Sequence, residues 1–186
     1  MNNLIGLSGK AGSGKDEVYR IIKDITDVNY ENKKFAHKLK LMVTLILGCS
    51  MKDLENREFK NKDLGDEWAN EERRMTPRLL LQLLGTECGR EILHSNIWVN
   101  ALFADYKEDN SSNYPNWVVT DCRFPNEAKA IQERGGIVIR INRPGFEDTG
   151  DHESETALDN YKEFDHVITN DGFISDLENS IKSIIV

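Results

Sequence analysis

Ile5-Gly6-Leu7-Ser8-Gly9-Lys10-Ala11-Gly12-Ser13-Gly14-Lys15-Asp16-Glu17 is the stretch whose reading decides the fold. The apolar run Leu4 to Leu7 leads into Gly9, Gly12 and Gly14, and a helical pattern begins at Asp16. Gly9, four residues, then Gly14-Lys15 is the spacing of a phosphate-binding loop. Glycines let the backbone turn so that successive N–H groups point inward at an anion. The helix that follows adds its unpaired N–H groups and the positive end of its dipole. Lys15 then reaches the outer phosphates of a nucleoside triphosphate. Where such loops usually carry a Ser or Thr hydroxyl for magnesium, this chain has Asp16.

The rest of the composition narrows the class. At 186 residues the chain reads as one domain with a substantial core, and 39% hydrophobic and 30% charged residues suit a soluble globular protein. A net charge of −8, with no basic stripe interleaved with aromatics, argues against polymeric nucleic acid as a partner. No stretch has the length of a membrane span, and Ser8 and Lys10 break the layout of a secretory signal. Cys49, Cys88 and Cys122 are scattered and odd in number, which fits a reducing, cytoplasmic setting. The four histidines are equally scattered, so any metal arrives with the nucleotide.

In chain order, Asp16 to Ile25 reads as a helix with Val18, Ile21, Ile22 and Ile25 on one face. Lys33 to Ala36 is a candidate second strand. His37 to Leu47 is a helix burying Leu39, Met42, Val43, Ile46 and Leu47, ended by Gly48. Residues 50–74 are dense in charge and read as a solvated connection with a short helix or two, or as a flap. Thr76-Pro77 caps a new helix, whose apolar face Leu79, Leu80, Leu83, Leu84 is interrupted at Gly85-Thr86. Arg78, Gln82, Thr86, Glu87 and Arg90 can share one helical side, either solvated or lining a phosphate and base site. A helix from Ile97 to Tyr106 turns Trp98, Ala101 and Leu102 inward, and Asp109 to Asn116 is a polar loop.

Trp117 to Thr120 is a buried strand, ending in Asp121-Cys122-Arg123-Phe124-Pro125-Asn126-Glu127. An acidic residue at the carboxyl end of a central parallel strand sits beside the phosphate loop in doubly wound folds. Glu127 to Arg134 is a helix, Ile137 to Ile141 a strand and His166 to Thr169 a last strand. Phe173 to Ile185 closes the chain as a helix burying Ile174, Leu177, Ile181, Ile184 and Ile185. This order predicts an α/β fold: an open, mainly parallel sheet with helices on both faces. Two insertions, about 50–100 and 143–162, interrupt a core of 1–49 and 117–186.

The loop and the two insertions resemble nucleoside monophosphate kinases, a doubly wound fold of the P-loop NTPase type. Four words carry a narrower resemblance over essentially the whole chain: Gly14-Lys15-Asp16, Thr76 to Glu87, Asp121 to Glu127 and His152-Glu153-Ser154-Glu155. Together they resemble the deoxynucleoside monophosphate kinases of tailed bacteriophages. Asp16 is usual in that family, while Glu17 stands where many members carry Thr. Animal-type phosphomevalonate kinases share some of these words, but Gln82 to Arg90 matches the phage enzymes better. A nucleotide-binding module without turnover is the alternative from another class, and Glu17 is the feature that favours it.

The resemblance implies an ATP-dependent, Mg²⁺-dependent kinase acting on a deoxynucleoside monophosphate, in the host cytoplasm if phage-encoded, with a homodimer left open. ATP would occupy Gly9, Lys10, Gly12, Ser13, Gly14, Lys15, Asp16 and Glu17, with Asn170 on the adenine side. Lys15, Asp16, Arg123 and Arg143 are the catalytic set. Lys40, Arg78, Gln82, Thr86, Glu87, Arg90, Trp98, Asp121 and Arg123 are the acceptor set. Arg143, His152, Ser154 and Glu155 form the lid, and Asp16, Glu17 and Asp121 hold the metal through water. The acceptor phosphate is already ionised near neutral pH, so positioning and charge neutralisation suffice without a general base.

Overall fold

Leu4–Ser8 is buried at every position, as a strand with neighbours on both edges and a helix layer on both faces must be. The protein is described by a computed structural model covering residues 2–71, 73–107, 113–145 and 152–185. In chain order its elements are β1 (Leu4–Ser8), α1 (Lys15–Ile25), β2 (Glu31–Lys33), α2 (His37–Leu47), α3 (Met51–Glu55), α4 (Arg57–Asn61), a 3-10 turn (Asp66–Trp68), α5 (Pro77–Gln82), a π-helix (Leu83–Leu93), α6 (Ile97–Phe103), β3 (Trp117–Cys122), α7 (Pro125–Gln132), β4 (Ile137–Asn142), α8 (Glu153–Thr156), β5 (His166–Thr169) and α9 (Ile174–Ile185). They group into two compact units, one of residues 1–35 and 102–186, the other of residues 36–101. α2, assigned above to the core, groups with the second unit.

The first unit is an α/β sheet in the order β2-β3-β1-β4-β5, with every pairing parallel among the described residues. Ile5 and Leu7 of β1 join Val118, Ile139, Ile141 and Ile168 in one core under α1 and α9, which contribute Val18, Ile21, Ile22, Leu177 and Ile181. The opposite face of β1 meets α7. A Cβ on Gly6 would stand 2.5 Å from Ile131 Cδ1, so glycine there lets the helix approach the sheet. Gly6 pairs with Val119 and Ser8 with Cys122, so β3 carries one extra residue at its carboxyl end. Such a bulge re-aims side chains, and this one falls beside the glycine loop.

Two sequence expectations shift in this unit. The second strand is Glu31–Lys33, earlier than the Lys33–Ala36 segment, because Phe35 leaves the sheet and its N–H is taken by Asp121 Oδ1 at 2.7 Å. An edge strand pairs on one side only and tolerates polar residues, so no apolar run marks it in the sequence. Ile174 is 63% exposed, since it opens the first turn of α9 before that helix reaches the sheet.

The second unit is built around Leu39, Val43, Leu54, Leu80 and Trp98. Gly48, in the left-handed conformation, ends α2 as expected. Only Leu39 and Val43 of α2 are buried; Met42 and Ile46, expected inside, are 48% and 46% exposed. A core this small covers one narrow helical stripe, and Met42 and Ile46 fall on the adjacent one. Residues 50–74 do form short helices, α3, α4 and the 3-10 turn. Thr76 caps α5, its side chain accepting from Leu79 N, with Pro77 in the first turn. At Gly85-Thr86, where the apolar face is interrupted, the chain stays helical. The chain continues there as a π-helix, closed by the His94 N–H donating to Gly89 O at 3.0 Å. The wider turn brings Gly85 O to the Trp98 Nε1–H at 2.7 Å.

No helix among the described residues is long and apolar enough to cross a membrane.

Candidate active site

Residues 9–14 bridge the end of β1 and the start of α1, so the loop lies at the carboxyl edge of the parallel sheet, where ligands of such folds bind. Gly14 precedes α1 at φ 106°, a conformation that L side chains rarely adopt. A Cβ there would also stand 2.7 Å from Asn170 Nδ2, which donates to Ser13 O at 2.9 Å. A Cβ on Gly9 would meet Ser13 Oγ at 2.4 Å. The Ser13 hydroxyl itself is buried without a hydrogen-bond partner among the described residues, the kind of orphaned polar atom that a ligand oxygen would satisfy.

Lys15 folds back over this loop. Its ammonium donates to Gly9 O at 2.7 Å and Lys10 O at 2.8 Å. Desolvation, with the Arg123 and Arg140 guanidinium groups nearby, pulls it from the usual 10.5 to about 8, against the opposing pull of Asp16 and Asp121. Lys15 thus feels two other cations and two carboxylates within electrostatic reach. Asp16 is exposed. Glu17 instead accepts from the Arg20 guanidinium at 3.0 Å along α1. Asp121 holds the Phe35 N–H, so one of its oxygens already has a backbone partner.

Arg123 is set by the chain that follows it. Glu127, 2% exposed, accepts the backbone N–H groups of Arg123 at 2.7 Å and Phe124 at 3.1 Å. The Asp121-to-Glu127 word is therefore a strand end, a turn and a helix start closed by its own last residue. The Arg123 guanidinium pairs with the Glu155 carboxylate. Lys10 Nζ donates to Glu155 O at 2.6 Å and Asp159 Oδ2 at 2.7 Å. Arg140 donates to Ser8 Oγ at 3.1 Å and reaches Asp159 Oδ1 at 3.4 Å. Arg143 donates to Gly12 O at 3.1 Å. His152 Nδ1 and Ser154 bond one another at the start of α8.

The first unit therefore brings together Gly9, Lys10, Gly12, Ser13, Gly14, Lys15, Asn170, Arg123, Arg143 and Glu155, and leaves Glu17 turned to Arg20. Residues 146–151 of the expected lid, and 109–112 of the expected polar loop, lie outside the described residues. Three residues of the cluster were not singled out above. Arg140 had a signal, a charge inside the apolar run Ile137 to Ile141 of a strand covered on both faces. Asp159 follows the buried Leu158, and Glu127 closes a quoted word; neither has a periodicity that marks it.

The rest of the acceptor set belongs to the second unit. Lys40 pairs with Glu55 at 2.6 Å, Arg78 Nε donates to Asn61 Oδ1 at 2.8 Å and Arg90 donates to Ser95 O at 3.3 Å. Thr86 is buried in the π-helix, and Gln82 and Glu87 are half-buried there. Trp98 is 5% exposed, with its indole 3.0 Å from where a Gly89 Cβ would stand. Its ring and N–H hold the π-helix, which leaves little indole face for a base.

Comparison with known proteins identifies the family. The family model of deoxynucleotide monophosphate kinases matches residues 46–181. A putative deoxynucleotide monophosphate kinase of Acanthamoeba polyphaga mimivirus is 31% identical over 190 residues, covering 98% of this chain and 95% of that protein. The deoxynucleoside-5'-monophosphate kinase of Escherichia phage T5 is 27% identical, covering 85% of this chain and 86% of its own. The deoxynucleotide monophosphate kinase of Enterobacteria phage T4 is 28% identical over 87% of this chain and 74% of its own. Among solved structures, dephospho-CoA kinase from Campylobacter jejuni shares the fold at a TM-score of 0.51 and 18% identity, covering 100% of this chain and 96% of that one. With an α/β sheet that ends in a cation-ringed glycine loop, and with relatives of this coverage, the chain belongs to the deoxynucleotide monophosphate kinase family.

Proposed function

We propose that the protein transfers the γ-phosphoryl group of ATP to a deoxynucleoside monophosphate, giving a deoxynucleoside diphosphate and ADP. The observation that carries the reading is the convergence of Lys15, Arg123 and Arg140 on the 9–15 loop, in a chain of this family. The β and γ phosphates would replace the Gly9 and Lys10 carbonyls as partners of Lys15, with the loop amides and the start of α1 sharing their charge. A phosphate oxygen of the acceptor attacks the γ-phosphorus while the bond to the β-phosphate oxygen breaks, and ADP leaves with that electron pair. Arg123 would neutralise the transferring group, and Arg143, which donates to Gly12 O, would be a second cation at the loop.

Asp16 and Asp121, the two carboxylates felt by Lys15, are hard oxygen donors that fit Mg²⁺ held through water. When bound, the ion would supply charge neutralisation to the phosphate chain. Glu17, paired along α1, is the least suited of the three expected metal residues. Arg78, Gln82, Thr86, Glu87 and Arg90 remain the proposed acceptor residues of the second unit, while Trp98 supports the π-helix beneath them. The test is a coupled assay of ADP release against dNMPs, NMPs and 5-phosphomevalonate. Turnover with dNMPs ahead of the other two classes supports the reading. Preference for 5-phosphomevalonate, or no ADP with any acceptor, refutes it.

A further inference from the structure

Around the loop, three cations meet two carboxylates of the 152–160 segment. Asp159 shares its oxygens between Lys10 and Arg140, Glu155 takes Arg123, and the Glu155 carbonyl takes a second bond from Lys10. Each of these cations belongs to a different stretch: the glycine loop, the end of β3 and β4. A carboxylate that bridges two of them presents the charge and oxygen geometry of a phosphate. The pairs are not deeply buried. Arg123 and Asp159 side chains are 39% and 40% exposed, so each pair is screened and weak enough to be exchanged for a better anion.

We propose that Glu155 and Asp159 are internal surrogates for substrate phosphate, seated on Arg123, Lys10 and Arg140 until a polyphosphate displaces them. The inference deepens the reading of the loop as a phosphate site and rests on it, but it does not depend on which acceptor is used. The two carboxylates quench the mutual repulsion of the cations while no ligand is bound. They also compete with the ligand, so they set how tightly a phosphate chain is held and how readily a product is released. A purely structural role predicts the opposite sign. If the pairs only anchored the 152–160 segment, neutralising them would loosen the site and weaken ligand binding.

Inorganic pyrophosphate is the probe, titrated calorimetrically at pH 7.5 and fixed ionic strength into the wild type, Glu155→Gln and Asp159→Asn, each checked for a cooperative thermal transition. The expected result is about 3- to 30-fold tighter binding in each variant, with lower thermal stability when unliganded. Equal or weaker binding by folded variants overturns the proposal alone. Absence of binding to all three proteins overturns it together with the phosphate site on which it rests. Hydrogen exchange on the wild type gives a reading that needs no variant. Pyrophosphate is expected to speed exchange of the 152–160 amides as the carboxylates are released, and slower or unchanged exchange overturns the proposal.

Discussion

The Glu127 carboxylate accepts the backbone N–H of Arg123 at 2.7 Å, so a buried acid in α7 fixes the turn that presents the guanidinium. Replacing Glu127 by Ala leaves two backbone N–H groups without that acceptor. A loss of about 1–3 kcal/mol in unfolding free energy is expected for a buried unsatisfied group of this kind. It is checked by urea denaturation, and kcat should fall by more than the KM for ATP changes, because the residue acts through Arg123. Unchanged stability and unchanged kcat would remove Glu127 from this role.

Lys15→Ala should leave the fold intact, since among the described residues the ammonium bonds only to its own loop. Phosphoryl transfer should fall by about 100- to 1,000-fold or more, the scale for removing one charge-stabilising donor. Steady-state turnover together with circular dichroism checks both halves. A variant that retains turnover breaks the assignment.

The lowered Lys15 pKa, about 8, carries two pH effects with opposite signs. Between about 8 and the ordinary 10.5, the unfolded chain holds a proton that the folded chain has released. This group's contribution to stability therefore rises with pH across that window and is flat below it. Ligand binding goes the other way. ATP prefers the charged ammonium, so its affinity should fall above pH 8, approaching about tenfold per pH unit. Titration calorimetry from pH 7.5 to 9.5 measures this with the ligand's phosphates fully ionised throughout. Lys15→Arg should flatten the profile; an equal slope in that variant would trace the effect to another group.

Arg78 donates to Asn61 on an exposed helix face and makes no core contact that its loss would empty. Arg78→Ala should raise the KM for the monophosphate at least about tenfold, the loss of one charge-assisted phosphate contact, with little change in the KM for ATP. Equal effects on both constants would move Arg78 out of the acceptor site.

The parts most legible in the sequence were those whose chemistry is local. The glycine loop, the apolar strands at 117, 137 and 166, and the Thr76-Pro77 cap each depend on a few adjacent residues, and each stands where the pattern puts it. β2 was displaced because an edge strand needs no apolar run. The π-helix was unreadable because its widened turn depends on Trp98, which reaches Gly85 from a later helix. Arg140 and Asp159 were missed for the same reason. Their meeting with Lys10 is a product of strand order and of a segment returning over the loop, and neither leaves a mark in local spacing.

The central claim is that the γ-phosphoryl group passes from ATP to a deoxynucleoside monophosphate. Phosphorus NMR of the protein with ATP, Mg²⁺ and a dNMP reads that transfer atom by atom. The predicted result is loss of the dNMP phosphomonoester signal with matched appearance of deoxynucleoside diphosphate and ADP, one of each per ATP consumed. ADP appearing with inorganic phosphate while the dNMP signal persists, or no change in any signal, would contradict it.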